Sequence, residues 1–187
     1  NLLGSEQSGQ IASVGLELYT HMVDRAVKKL LQTESGLAPE DIQVRLDHIE
    51  QSIPESYIHS SSHRLSLYKA LGTLPTKEEL WEFRNGVEDR FGILPESVLN
   101  IFRNAEVRLW GQLHGVEKIE HEQNRLRIQV KDASRLNHEK LVGWLCEQET
   151  PLSYIPENTL DYKNVPPEMN AILKSLKNLE QVFTVYG

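Results

Sequence analysis

Near residue 115 the hydrophobic period of this chain changes from that of a helix to that of a strand, which rules out an all-helical or an all-strand fold. Upstream, Arg64 to Leu71 reads as helical, and Pro75, Thr76 and Lys77 open a second helix with Leu80, Phe83 and Val87 in one stripe. Gly92 follows DRF as a C-cap. Pro95 then reopens a helix whose Leu99, Phe102, Leu109 and Leu113 are expected to face inward until Gly115 ends it. Residues 64–114 are therefore read as helical. Downstream, VEKIEHEQNRLRIQV reads as two strands around Glu122, Gln123 and Asn124, with Leu126, Ile128 and Val130 on one face.

The same reasoning extends to both ends. Asp132 or Ser134 can cap a helix carrying Leu136, Leu141, Trp144 and Leu145, and PLSYIPENTLDYKNV predicts a second pair of strands around Pro156, Glu157 and Asn158. Pro166 and Pro167 start a last helix, in which Met169, Ile172, Leu173, Leu176, Leu179 and Phe183 form one apolar stripe. Toward the N-terminus, Ile42, Val44 and Leu46 alternate with polar residues as in a half-buried strand ending near Pro54. From Val14 to Leu31, apolar residues recur at helical spacing, and Gly36 and Pro39 in QTESGLAPED then break the pattern. The fold class is α+β: a helical segment followed by hairpin, helix, hairpin and helix, with an N-terminal linker helix.

Gly4 and Gly9 in NLLGSEQSGQIASVG have the glycine spacing of a phosphate-cradling loop. Such a loop needs a lysine to reach the phosphates and a Ser or Thr for magnesium, and here those positions hold Gln10 and Ile11. A polar connection to a preceding domain is the better reading. The start in mid-motif, without an initiator Met, predicts a piece of a longer polypeptide.

Bulk properties narrow the function. A chain of 187 residues can bury about two-thirds of its unfolded surface, and 39% hydrophobic with 25% charged residues is an ordinary globular composition. A formal charge of −7 opposes a large basic surface of the kind that binds nucleic-acid phosphates. The single cysteine, Cys146, cannot make an internal disulfide, and no secretory signal opens the chain, so a cytoplasmic protein is expected. The longest apolar runs fall far short of the ~20 residues that cross a bilayer.

Motifs for bond-making chemistry are incomplete. His138 and Glu139 are followed by Val142 where a zinc-protease helix needs its second His, and His121 and Glu122 are followed by Arg125. His59 and His63 flank Ser60, Ser61 and Ser62, but no local spacing supplies the third group that would orient a catalytic pair. Cys146 sits beside Trp144 and Leu145 with Glu147 and Glu149 close by, so it is expected to pack in the core rather than react.

KEELWEFRNGVEDRFG is more informative. Glu78, Glu79, Glu82, Glu88 and Asp89 can present carboxylates to solvent, and Gly86 in mid-helix costs about 1 kcal/mol relative to Ala, which points to close approach by something else. Trp81 is expected in the core, although a partly exposed tryptophan would make a good anchor.

Taken together, NLLGSEQSG, VGLELYTHMVDRAV, IPESYI, RLSLYKALGTLPTKEEL, EDRFGILPESV and LHGVEKIE resemble the C-terminal portion of bacterial transcription-repair coupling factors, the Mfd family. The resemblance covers residues 1 to about 120; beyond that, only the order of hairpin and helix matches. It implies that Gln7 and Gly9 belong to a translocation motif shared with RecG helicases, at the tail of an ATP-driven DNA motor. Residues 1–33 would then be that tail and its exit helix, 34–40 a linker and 41–187 the terminal domain.

Further expectations follow from the resemblance. The intact protein would push stalled RNA polymerase forward along duplex DNA and recruit UvrA through an N-terminal UvrB-like module. The terminal domain would dock on that module and mask the UvrA site, without catalysis, cofactor or metal of its own; ATP and magnesium would belong to the motor. The family's acidic contacts fall at positions matching Gly86 and Asp89. Asp89 keeps its carboxylate, whereas Gly86 departs from the usual glutamate, so that one expected ion pair is either missing or supplied by Glu82 or Glu88. The alternatives are a nucleic-acid reader built on Arg125 and Arg127, and an enzyme using His59, His63 or the carboxylates.

Overall fold

The structure, a computed structural model, describes residues 42–184. Gln7 and Gly9, the amphipathic segment 14–31 and the linker 34–40 lie outside the described residues. The described chain divides into two compact units, residues 50–105 in one and residues 42–49 with 106–184 in the other.

The first unit is helical. Helix α1 runs Ser61–Thr73, α2 Lys77–Phe91 and α3 Glu96–Leu113, with α3 crossing from this unit into the second. The serine cluster starts α1: Ser60 accepts a hydrogen bond from the backbone N–H of His63, so the helix begins three residues before the Arg64 expected from periodicity. Thr76 caps α2 in the same way through the Glu79 N–H.

Leu67, Leu71, Leu80, Val87, Leu94, Val98, Ile101, Phe102 and Ala105 are buried in this unit. Each large aliphatic side chain so buried contributes about 1.5–3 kcal/mol. The stripe of α3 is thus Val98, Ile101, Phe102 and Ala105, and of the four residues expected inward only Phe102 is fully buried; Leu113 is exposed. The spacing i, i+3, i+4, i+7 is satisfied better by valine and alanine than by the leucines that weigh most in a hydrophobicity count.

The second unit is a five-stranded sheet with helices on one face. Strands β1 (Gln43–Arg45), β2 (Val116–Glu122), β3 (Arg125–Val130), β4 (Leu152–Ile155) and β5 (Thr159–Lys163) are ordered β1-β2-β3-β5-β4, with β1 parallel to β2 and the other pairs antiparallel. Both predicted turns are tight. Gln123 and Asn124, both with positive φ, link β2 to β3 in the mirror-image turn that suits the twist of a hairpin, and Pro156, Glu157 and Asn158 link β4 to β5, the last two with positive φ.

Two short helices, α4 (His138–Leu145) and α5 (Met169–Leu179), complete this unit. Asn137, not Asp132 or Ser134, caps α4, because Asp132 is used by a separate 3₁₀ turn at Ala133–Arg135. The two prolines lie ahead of α5 rather than in it; its N-cap is Glu168. Ile119, Leu126, Ile128 and Leu160 from the sheet pack with Ile172, Leu176 and Leu179 of α5, all fully buried.

The opposite face of the sheet is polar. Register places Arg45, Glu120, Arg127, Asp161 and Ser153 in one row across all five strands, an alternation of charge that the cross-strand spacing turns into attraction. Asp161 is buried, and Arg125 grips it with Nε at 3.2 Å and Nη2 at 2.5 Å. Arg127 reaches the same carboxylate at 3.7 Å and Glu120 at 3.8 Å.

Candidate functional site

The acidic face of α2 is built by helical geometry alone. Glu82, Gly86 and Asp89 are spaced i, i+4, i+7, which stacks them on one side of the helix, and all three are exposed. Glu78 and Glu79 in the first turn are exposed as well, where the helix dipole favours negative charge.

Glu88 is placed differently. It is half-buried, and its charge bears on Tyr57, whose hydroxyl donates to the Gly92 carbonyl at 2.8 Å. Burial first, and the Glu88 carboxylate second, push the Tyr57 phenol above its ordinary value.

Trp81 is not in the core; it is 63% exposed. The buried edge of α2 is set by Leu80, Phe83 and Val87, and Trp81 shares its side of the helix with Asn85 and Glu88 instead. An exposed indole therefore stands beside the acidic face. Among the described residues Gly86 has open space around it: a Cβ there would meet none of their atoms within 4 Å.

The remaining candidates are dispersed. His59 and His63 are both exposed, with Ser60 and Ser62 bonded to each other at 2.9 Å and Ser60 spent as a helix cap. Cys146 is exposed rather than packed, because α4 stops at Leu145 and leaves it as the cap residue. His121 is buried in the second unit, its Nε2 donating to the Val165 carbonyl at 2.7 Å and its Nδ1 3.0 Å from His48 Nε2. His138 is exposed in the first turn of α4. Among the described residues no group of three His, Cys, Asp or Glu side chains is arranged to hold a metal ion, and no helix is long and apolar enough to cross a membrane.

Arg125 and Arg127 do not form a free cationic surface, since Asp161 and Glu120 neutralise them. Sequence reading missed this cluster and the His48–His121 pair, which join residues 36 and 73 positions apart. Strand register brings Arg125 and Asp161 together, whereas His48 lies in the turn beyond β1 and reaches His121 only through the tertiary fold.

The TRCF domain family model matches residues 48–141, half of the chain. A transcription-repair-coupling factor of Borreliella burgdorferi is 27% identical over 96% of this chain and 16% of its own length. That of Haemophilus influenzae is 31% identical over 87% of this chain and 14% of its own length. The chain thus spans about one-sixth of these relatives. A crystal structure of the C-terminal domain of transcription-repair coupling factor superposes with a TM-score of 0.62, covering 79% of this chain and 98% of that one at 17% identity. The α+β fold is the same. The chain belongs to the TRCF domain family, the C-terminal region of transcription-repair coupling factors.

Proposed function

We propose that this chain is a non-catalytic regulatory region, and that its acidic α2 face docks on the N-terminal UvrB-like module of the same protein and masks the UvrA-binding surface there. Residues 1–33 are the tail of the translocase motor, with Gln7 and Gly9 in its translocation motif; 34–40 link it to the terminal domain, 41–187. RNA polymerase and duplex DNA are engaged by other parts of the polypeptide, in the cytoplasm. Nucleotide and magnesium are handled by the motor, so this region holds no cofactor.

The observation that carries this reading is the alignment of Glu82, Gly86 and Asp89 on one exposed side of α2 beside an exposed tryptophan, in a chain of this family. Exposed ion pairs contribute only about 0–1 kcal/mol each, so no single carboxylate holds the masked state alone. Covalent tethering supplies the rest. With an effective concentration on the order of 1 mM, an intrinsic affinity of ~10 μM keeps the site about 99% covered. Partners that bind the released form then open it by mass action.

Asp89→Arg in the intact protein tests this. Reversing the charge is expected to raise both UvrA capture and basal ATP hydrolysis. Unchanged values for both would falsify the masking role of the acidic face.

A further inference from the structure

A groove of about 700 Å³ lies between α1 and α2. Its lining is apolar along most of its length: Leu67, Ala70 and Leu74 on the α1 side, and Phe83, Val87 and Phe91 on the α2 side. Glu79 and Glu82 line it from the N-terminal half of α2 and Arg90 from the last turn, with His63 and Ser66 as the polar groups on α1.

Gly86 also lines this groove. Nothing among the described residues requires a glycine there: it is exposed, it is not among the residues with positive φ, and an added Cβ would meet none of their atoms within 4 Å. Glycine is the weakest helix former apart from proline, so its presence in mid-helix works against α2. The missing side chain leaves the groove open between Glu82 and Arg90, one turn away on either side. An open apolar slot with acid at one end fits an amphipathic helix whose apolar residues recur every three to four positions and whose basic residues lie at the matching end.

We propose that this groove receives such a helix from the docking partner, and that a large apolar side chain of it seats at Gly86. The inference rests on the docking reading above and adds the occupant: shape at Gly86 replaces the ion pair that a glutamate would have made. Specificity then comes from the apolar slot, while Glu79 and Glu82 set the direction in which the helix lies. Arg90, whose guanidinium lies 5.0 Å from the Phe91 ring centroid, disfavours the reversed orientation by like charge.

Two arms test this. In the intact protein, Gly86→Leu fills the groove and is expected to raise UvrA capture about tenfold or more, the loss of one interface anchor. If Asp89→Arg raises capture and Gly86→Leu leaves it unchanged, the groove is empty and the docking reading stands. If neither changes capture, the docking reading falls and the second arm decides the groove alone.

In that arm, a designed leucine- and arginine-bearing amphipathic peptide is titrated against this chain and its Gly86→Leu variant, with a leucine-to-serine peptide as control. Binding of the leucine peptide that is lost in the variant and absent for the control supports the groove. Equal binding of both peptides, or none, overturns it. Thermal melting of the variant is expected at or above that of the parent chain, since leucine replaces glycine in open space. A groove-dependent dimer of the chain without peptide binding would assign the slot to a second copy and overturn the proposal.

Discussion

His48 Nε2 and His121 Nδ1 face each other at 3.0 Å, with ring centroids 4.7 Å apart. The other nitrogen of His121 meets a carbonyl oxygen, which can only accept, so Nε2 carries a hydrogen and the two facing nitrogens share one hydrogen between them. A second hydrogen in that gap would break the contact.

Acid sensitivity follows from this pair. Burial first and the neighbouring His121 second hold the His48 imidazole below its ordinary value, with Asp47 opposing them. The unfolded chain then takes up this proton at higher pH than the folded one. Stability is lost as pH falls through the usual imidazole value near 6.5, and His48 adds no pH dependence well above it. His48 keeps much of its surface exposed, so the effect is modest. Melting at about pH 7.5 and about pH 5.5 should show a larger drop for the parent chain than for His48→Gln. Equal drops would remove His48 from the account.

The Arg125–Asp161 pair gives an asymmetric prediction. Asp161 keeps 3% of its side-chain surface exposed and Arg125 40%, so the arginine can return to water and the carboxylate cannot. Arg125→Leu is expected to cost about 3 kcal/mol, because it strands a buried charge with only the more distant Arg127. Replacing Asp161 by Leu as well should recover much of that loss. Urea denaturation of the two single variants and the double variant measures the coupling, and additive losses would count against it.

Gly115 ends α3 with φ +66°, and a Cβ there would lie 2.8 Å from Arg135 Nε. Gly115→Ala is expected to destabilise by about 1–2 kcal/mol through the left-handed backbone alone. Chemical denaturation is sufficient to detect it.

Gly86 should respond in the opposite sense. It sits inside α2 with ordinary helical backbone and empty surroundings, so Gly86→Ala is expected to stabilise the isolated chain by about 1 kcal/mol. A destabilised variant would mean that the glycine serves the fold and not an occupant of the groove.

The features legible in the sequence are the local ones. Helical and alternating periods located the helices and strands, and the polar clusters Glu122–Asn124 and Pro156–Asn158 announced both hairpins. Exposure was harder to read. Trp81 and Cys146 look like core residues by type, but one lies off the apolar stripe and the other beyond the end of its helix. The groove, the His48–His121 contact and the Asp161 cluster depend on which elements lie side by side, and side-chain period carries no information about that.

The parallel contact of β1 with β2 has a consequence for handling this protein. Val44 aligns with Ile119, so the first strand of the sheet must wait until a loop of more than seventy residues has been synthesised and closed. The family match begins at residue 48, just after that strand. A polypeptide trimmed to that boundary would leave one flank of β2 with bare amide and carbonyl groups, an adhesive surface for other molecules and a route to aggregation.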